Sequence, residues 1–130
     1  MIVVDASALL EALLHTPAAA AVGRRLFGPG ETLAAPHLID AEVTQVLRRY
    51  AAIGRNDPER CRAVLSDLMD MPLTRYPHAV LLPRVWELRN DLTAYDAVYV
   101  ALAEMLDAPL LTRDRRLASA PGHRAMIELV

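Results

Sequence analysis

Asp5, Glu42, Asp96 and Asp114 stand where a small α/β chain ends its strands or begins its helices. Asp5 follows Ile2-Val3-Val4, Asp114 comes just after Leu110-Leu111-Thr112, and Asp96 is the only charge between Ala94 and Ala103. An ionised carboxylate set among Val, Leu and Ala loses several kcal/mol of hydration unless it is paired or coordinated. A set of them converging on one edge therefore calls for a cation, and oxygen donors suit a hard divalent ion such as Mg2+ or Mn2+. Each acid taken alone has a plainer explanation: Asp5 and Asp114 as turn residues, Glu42 and Asp96 as acids near the positive end of a helix.

The elements that must position them follow from periodicity. Ile2–Val4 is a β-branched apolar run too short for a helix and reads as a buried strand. Ser7 is a candidate cap for a helix over Ala8–Leu14, and Pro17 opens a second helix to about Phe27, stopped by Gly28-Pro29-Gly30. Residues 31–35 form a strand closed by Pro36. Ile39, Val43, Val46, Leu47 and Tyr50 recur at helical spacing in a helix from about Leu38 to Ile53, with Gly54 as its stop. Asp57-Pro58-Glu59 starts another, reaching about Asp70, and Leu73–Tyr76 is a short strand. From His78 to Asn90 the pattern is helical, with Pro83 either kinking it or starting a helix anew. Thr93 caps an apolar helix over Ala94–Leu106, Leu110–Thr112 is a strand, 114–119 a short helix and 125–130 a last strand. Strands alternating with helices imply an α/β fold, a parallel sheet covered on both faces. In such sheets sites form beyond the carboxyl ends of the strands. Asp5 and Asp114 lie there directly, and Glu42 and Asp96 sit in first helical turns that begin at the same edge.

At 130 residues the chain has the size of one domain, residues 1–130. It is 54% hydrophobic and 5% aromatic, so its core must be built of Ala, Leu and Val. The single Cys61 excludes an internal disulfide. A charged leader after Met1 and an apolar run near the length a bilayer needs are both lacking, which reads as a cytoplasmic protein. A net charge of −2 does not announce a nucleic-acid partner, but all 14 basic residues are arginine, and Arg113, Arg115 and Arg116 flank Asp114. Arginine grips phosphate bidentately; those three are candidate backbone contacts, though such clusters are also ordinary solvated helix faces. His15, His37, His78 and His123 show no ligand spacing and make no zinc pattern with Cys61, and no glycine-rich phosphate loop occurs.

Three stretches carry a resemblance. Ile2-Val3-Val4-Asp5-Ala6-Ser7-Ala8-Leu9, then Leu92-Thr93-Ala94-Tyr95-Asp96-Ala97-Val98-Tyr99-Val100-Ala101-Leu102-Ala103, and Pro109-Leu110-Leu111-Thr112-Arg113-Asp114 resemble PIN-domain ribonucleases, in particular the compact toxins of VapBC toxin–antitoxin pairs. The resemblance runs along essentially the whole chain and is thinner around Ala41-Glu42-Val43. It implies a three-layer α/β/α fold with a central parallel sheet of four to five strands. It implies Asp5, Glu42, Asp96 and Asp114 as an acidic quartet, Ser7 and Thr112 as supporting hydroxyls, and Asp91 as a further, second-tier acid. By the same resemblance Asp5 and Asp96 would hold a primary Mg2+ (or Mn2+), with Glu42 and Asp114 orienting water or completing a second site. The chemistry implied is hydrolysis of RNA phosphodiesters by water, leaving 5′-phosphate and 3′-hydroxyl ends, and the partners implied are an RNA substrate, a small cognate antitoxin and a second copy in a homodimer. The helices between Leu38 and Asp70 look rich enough in Leu, Val, Ile and Met to offer apolar surface to that second copy.

Three rivals remain. A phosphoacceptor receiver domain gathers acids at the same kind of edge, but by resemblance it uses a lysine beside them and this chain has none. A flap-type DNA nuclease needs an arch for which the chain has no room. A non-catalytic binding module that keeps the pocket without turnover is disfavoured by the intact quartet.

Overall fold

The computed structural model describes all residues Met1–Val130. Five short strands, β1 (Ile2–Val4), β2 (Leu33–Pro36), β3 (Leu73–Tyr76), β4 (Leu110–Thr112) and β5 (Ile127–Leu129), form one sheet in the order β3-β2-β1-β4-β5. All four pairings are parallel, with Val3 opposite Ala34 on one side and Leu110 on the other. The sheet is flanked by helices α1 (Ala6–Leu13), α2 (Ala19–Leu26), α3 (Leu38–Ala52), α4 (Pro58–Asp70), α5 (Leu82–Glu87), α6 (Ala94–Leu106) and α7 (Arg115–Ala118). Such a sheet is buried on both faces, so its central strands are continuously apolar; Ile2, Val3, Val4, Leu110 and Leu111 are fully buried. Because β1 lies between β2 and β4, the connections diverge there. A crevice opens beyond the carboxyl ends of β1 and β4, where ligands bind in sheets of this kind.

Local chemistry sets the boundaries. Asp57 caps α4 by accepting from the Glu59 N–H at 2.7 Å, with Pro58 in the first turn, and Thr93 caps α6 by accepting from the Asp96 N–H. Pro83 starts a helix rather than kinking one: a 3-10 turn over Ala79–Leu81 ends where α5 begins. α2 begins at Ala19, two residues beyond Pro17. The cap of α1 is Asp5, whose Oδ1 accepts from the Ala8 N–H at 3.0 Å, and not Ser7, which lies inside the first turn. Glu42 is the fifth residue of α3, one turn further in than its sequence position suggested. No helix is long and apolar enough to cross a membrane.

Apolar surface is distributed otherwise than the sequence suggested. Of the large apolar side chains between Leu38 and Asp70, only Ile53 and Met69 are strongly exposed, whereas Val80, Leu82 and Trp86 crowd a short segment, Trp86 at 68%. Leu82 and Trp86 are four residues apart on α5 and so share a face.

A buried acid secures the far end of α6. The Glu104 side chain is 1% exposed, accepts from Arg84 Nε at 2.8 Å and Nη2 at 3.1 Å, and accepts the Arg124 N–H at 3.0 Å. Burial alone would raise its pKa; the hydrogen bonds and charges of Arg84 and Arg124 outweigh that and hold it below the ordinary glutamate value. The contact ties α5, α6 and the segment before β5 together. Glu104→Ala should lower unfolding free energy by about 1–3 kcal/mol, because it leaves the Arg124 N–H without its acceptor and removes the buried partner of Arg84, which keeps only Glu87 and the Gly122 carbonyl. The wild-type contribution is complete above the ordinary value of 4.5 and is lost as pH falls below it, since the folded state holds on to its charge longer than the unfolded chain. Urea titrations of both proteins at neutral and acidic pH read this; equal stability at neutral pH would contradict it.

Candidate active site

A cavity of about 620 Å3 opens at the carboxyl edge of the sheet, and Asp5, Glu42, Asp96 and Asp114 all line it. Four elements deliver them: the end of β1, the second turn of α3, the first turn of α6 and the cap of α7. Asp5 is 7% exposed and is held on all sides. Ser7 Oγ donates to its Oδ1 at 2.6 Å, and Thr112 Oγ1, itself fully buried, donates to its Oδ2 at 2.5 Å. The same two hydroxyls reach outward, Ser7 Oγ accepting the Arg113 N–H at 2.9 Å and Thr112 Oγ1 accepting the Asp114 N–H at 2.9 Å. The supporting hydroxyls thus lock the end of β1 to the turn that follows β4. Asp114 Oδ1 accepts from the Arg116 N–H at 2.8 Å and caps α7.

The electrostatics are those of acids that repel one another, with Arg116 the one opposing charge. Asp5 is pushed above the usual aspartate value by burial first, against the lowering effect of Ser7, Thr112 and the Ala8 N–H, and Asp96 adds repulsion. Glu42 is raised by burial, then by the charges of Asp5 and Asp96, against the hydrogen bond from Tyr99. Asp96 is raised by burial and by Asp114, with Thr93 and Arg116 opposing. It is half-buried rather than enclosed, because the first turn of α6 faces the open cavity. The four acids thus form a connected chain of repulsions.

That chain is the test of fit for a divalent ion. No three Asp, Glu, His or Cys side chains stand close enough to grip a bare ion between them. The acids surround a roomy cavity instead, which suits an ion that keeps part of its water shell and takes one or two carboxylates directly, as Mg2+ does. The donors are all oxygen, and no histidine lines the cavity. An all-oxygen lining of this kind suits a hard cation, for which Asp5 and Asp96 are the candidate holders and Glu42 and Asp114 the candidates to orient its water.

Other residues fall differently. Arg113 lines the cavity with its backbone N–H on Ser7, its Nη1 donating to the Val130 carbonyl at 2.8 Å and its Nε 3.7 Å from Glu11. Arg115 and Arg116 are exposed beside it and do not line the cavity. Asp91 is exposed and packs against Gly122, whose φ of +88° and lack of a Cβ admit it; it is not part of the cavity wall. Tyr99 is a residue that sequence reasoning passed over: buried on α6, it donates to Glu42 Oε1 at 2.5 Å. Its spacing of three from Asp96 was the available signal, since residues at i and i+3 share a helix face.

Comparison with known proteins follows the same line. The family described as PIN domain matches residues 2–122. The chain is similar to Ribonuclease VapC1 of Mycobacterium tuberculosis, 48% identical over 98% of this chain and 96% of that protein. Among solved structures, PAE2754 from Pyrobaculum aerophilum superposes with a TM-score of 0.74 at 26% identity, covering 97% of this chain and 81% of that one. VapBC2 from Rickettsia felis, solved bound to a DNA fragment from its promoter, gives 0.73 at 17% identity over 99% and 98%, a likeness of fold.

Raised carboxyl pKa values have a signed consequence. At Asp5, Glu42 and Asp96 the folded state binds protons more tightly than the unfolded one, so without divalent metal these acids cost stability as pH rises through their raised folded values, and the cost vanishes at low pH where both states are protonated. Asp96→Asn removes one member of the repulsive set. Without metal its melting temperature should exceed wild type by a few degrees near neutral pH, with the gap closing as pH falls towards 4. Mg2+ should raise the wild type more than the variant. A variant that melts below wild type without metal at neutral pH would contradict this reading.

Proposed function

The chain belongs to the PIN-domain family, and from that premise we propose that it is a Mg2+- or Mn2+-dependent endoribonuclease, one PIN domain across 1–130, acting in the cytoplasm as the toxin of a type II toxin–antitoxin pair. The observation that carries this reading is the set of four acids delivered by four separate elements to one cavity at the switch point of a parallel sheet. Structural acids would pair or face solvent, as Glu104 does with Arg84. These repel one another instead.

The work of the chain's own groups follows from their bonding. Asp5, with both oxygens pinned by hydroxyls, would hold the ion from a fixed position, and Asp96, near enough to repel it, would share that role. Glu42 gives one oxygen to Tyr99, which leaves Oε2 to accept a proton from the attacking water. Asp114 is turned towards the same edge by its own N–H bond to Thr112. When bound, the divalent ion supplies positive charge to the phosphate and lowers the pKa of water. Water, not the ribose 2′-OH, attacks phosphorus, the bond to the 3′ oxygen breaks as that oxygen takes a proton from solvent in the open cavity, and the ends are 5′-phosphate and 3′-hydroxyl. Arg113 in the cavity wall, with Arg115 and Arg116 exposed beside it, would take backbone phosphates.

The proposed partners use the same features. An antitoxin's Arg or Lys entering the cavity would take the place of the metal charge among Asp5, Glu42, Asp96 and Asp114. For the homodimer, the exposed face of α5 with Val80, Leu82 and Trp86 is the surface of choice.

Asp96→Asn should lose at least about a hundredfold of Mg2+-dependent RNA cleavage while keeping its fold, read as kcat/KM on a defined RNA with the new ends mapped. Near wild-type cleavage by that variant would overturn the site; a folded wild type that cleaves no RNA would favour the non-catalytic module. Light scattering should give twice the 14.3 kDa chain mass at micromolar concentration, falling to one chain in Trp86→Glu. A monomeric wild type would remove the dimer.

A further inference from the structure

The cavity has a second end that the acids do not account for. Glu42, Val46 and Arg49 recur along α3 at i, i+4 and i+7, and all three line the cavity. Seven residues of helix place Arg49 about 10 Å beyond Glu42 along the axis. Past α3 the chain turns at Gly54, φ +73°. The Tyr50 carbonyl accepts N–H bonds from Arg55 at 2.9 Å and Asn56 at 3.3 Å, which folds Arg55 back. Its guanidinium carbon lies 4.2 Å from the centroid of the Tyr50 ring, and both residues line the cavity.

These arginines are unlike most of the others. Arg25, Arg75 and Arg84 each grip a carboxylate in a bidentate or shared pair, while Arg49 and Arg55 form neither an ion pair nor a side-chain hydrogen bond, though they share a cavity with four acids. The cavity therefore has an uncompensated acidic end and an uncompensated basic, aromatic end. A ligand that spans it must present anions to guanidinium groups and, at Arg55, can present a flat partner, because that guanidinium rests over the Tyr50 ring and is otherwise exposed. A single RNA strand carries both features, a phosphate and a base with its π-face. An acidic peptide carries only the first, and it would face the repulsion of Asp5, Glu42, Asp96 and Asp114.

We propose that Arg49, Tyr50 and Arg55 form a nucleotide-holding subsite beside the cleaved bond, in which Arg55, backed by Tyr50, stacks one base and Arg49 takes the adjoining phosphate. The inference rests on the ribonuclease reading and deepens it. A stacked base must leave any duplex, so the subsite selects single-stranded RNA, such as loops and ends.

The test is kinetics on a labelled single-stranded oligonucleotide that contains a mapped cleavage site, alongside versions with one base removed on either side of the bond. In the wild type, removing the stacked base should lower kcat/KM about tenfold, mainly through KM. Arg55→Ala should show a similar loss with the intact strand and no further loss with the abasic one, the signature of two groups that act through each other. Arg49→Ala should reduce the slope of log affinity against log salt by about one. Tyr50→Leu should behave as Arg55→Ala, and if it does not fold, the exposed Arg55 variant decides alone.

Wild-type kinetics in both arginine variants, or an abasic penalty as large in Arg55→Ala as in wild type, would overturn the subsite. So would variants that handle RNA normally but lose affinity for the antitoxin, since the surface would then belong to a protein. Failure of the ribonuclease reading looks different, because the wild type itself would then cleave none of the strands. In that case anisotropy of the same labelled strand decides: loss of binding in Arg55→Ala upholds the subsite, and unchanged binding sinks it.

Discussion

A carboxylate buried at the end of the central strand has to be satisfied from every direction, and Asp5 is satisfied by the elements that build the edge of the sheet. Its backbone N–H donates to Leu111 on β4 at 3.2 Å, and its carbonyl accepts the Leu9 N–H of α1 at 3.0 Å. Its side chain caps α1 and takes hydroxyls from Ser7 and Thr112. One residue therefore closes the β1–β4 ladder, starts the first helix and orients the turn that carries Arg113 and Asp114. The bonds to its carboxylate from Ser7, Thr112 and the Ala8 N–H favour the charged form, yet burial still pushes its pKa up. The shell can hold an ionised Asp5 but cannot make it comfortable, and that residual cost is what a cation would remove.

The rest of the acidic set depends on that rigidity. Glu42 and Asp96 sit on separate helices, and repulsion alone would splay them. α6 resists because it is apolar almost all round and packed under the sheet, with Ala97, Val100 and Leu102 fully buried. Tyr99, on the same helix, reaches across to Glu42 and joins α6 to α3 at the cavity wall. The edge is held open by packing behind it and by one phenol hydrogen bond across it, with no salt bridge among the four acids.

Much of this was legible in the chain. Short β-branched runs, proline and glycine stops and the Asp57 and Thr93 caps marked elements that need only local chemistry, and the rule that sites form at strand carboxyl ends selected Asp5 and Asp114. Asp96 stood out because charge in an apolar helix needs a reason. What was not legible depends on distance in the chain. Ser7 looked like a cap because Ser and Asp both serve there; only the pairing of β1 with β4 shows that Ser7 is needed to hold Asp5 and Arg113. Nothing in the spacing of Arg49 and Arg55 links them to the acids; only the fold brings them into the lining of the same cavity. The exposed Trp86 face was hidden because Pro83 left its helix ambiguous.

α6 carries the contrast that makes the site intelligible. Near its C-terminus Glu104 is enclosed and fully paired, taking Arg84 bidentately and an N–H from the strand-leading segment; near its N-terminus Asp96 is half-open and faces other acids. The two residues are eight apart, so about two turns of one helix separate a carboxylate that stabilises the fold from one that costs it stability. The first arrangement anchors the second: a helix clamped at one end by a buried ion pair can present an unfavourable charge at the other without shifting away from it. Stability is concentrated where nothing reacts, and the uncompensated charge is left at the sheet edge, where an ion and an anionic strand can both reach it.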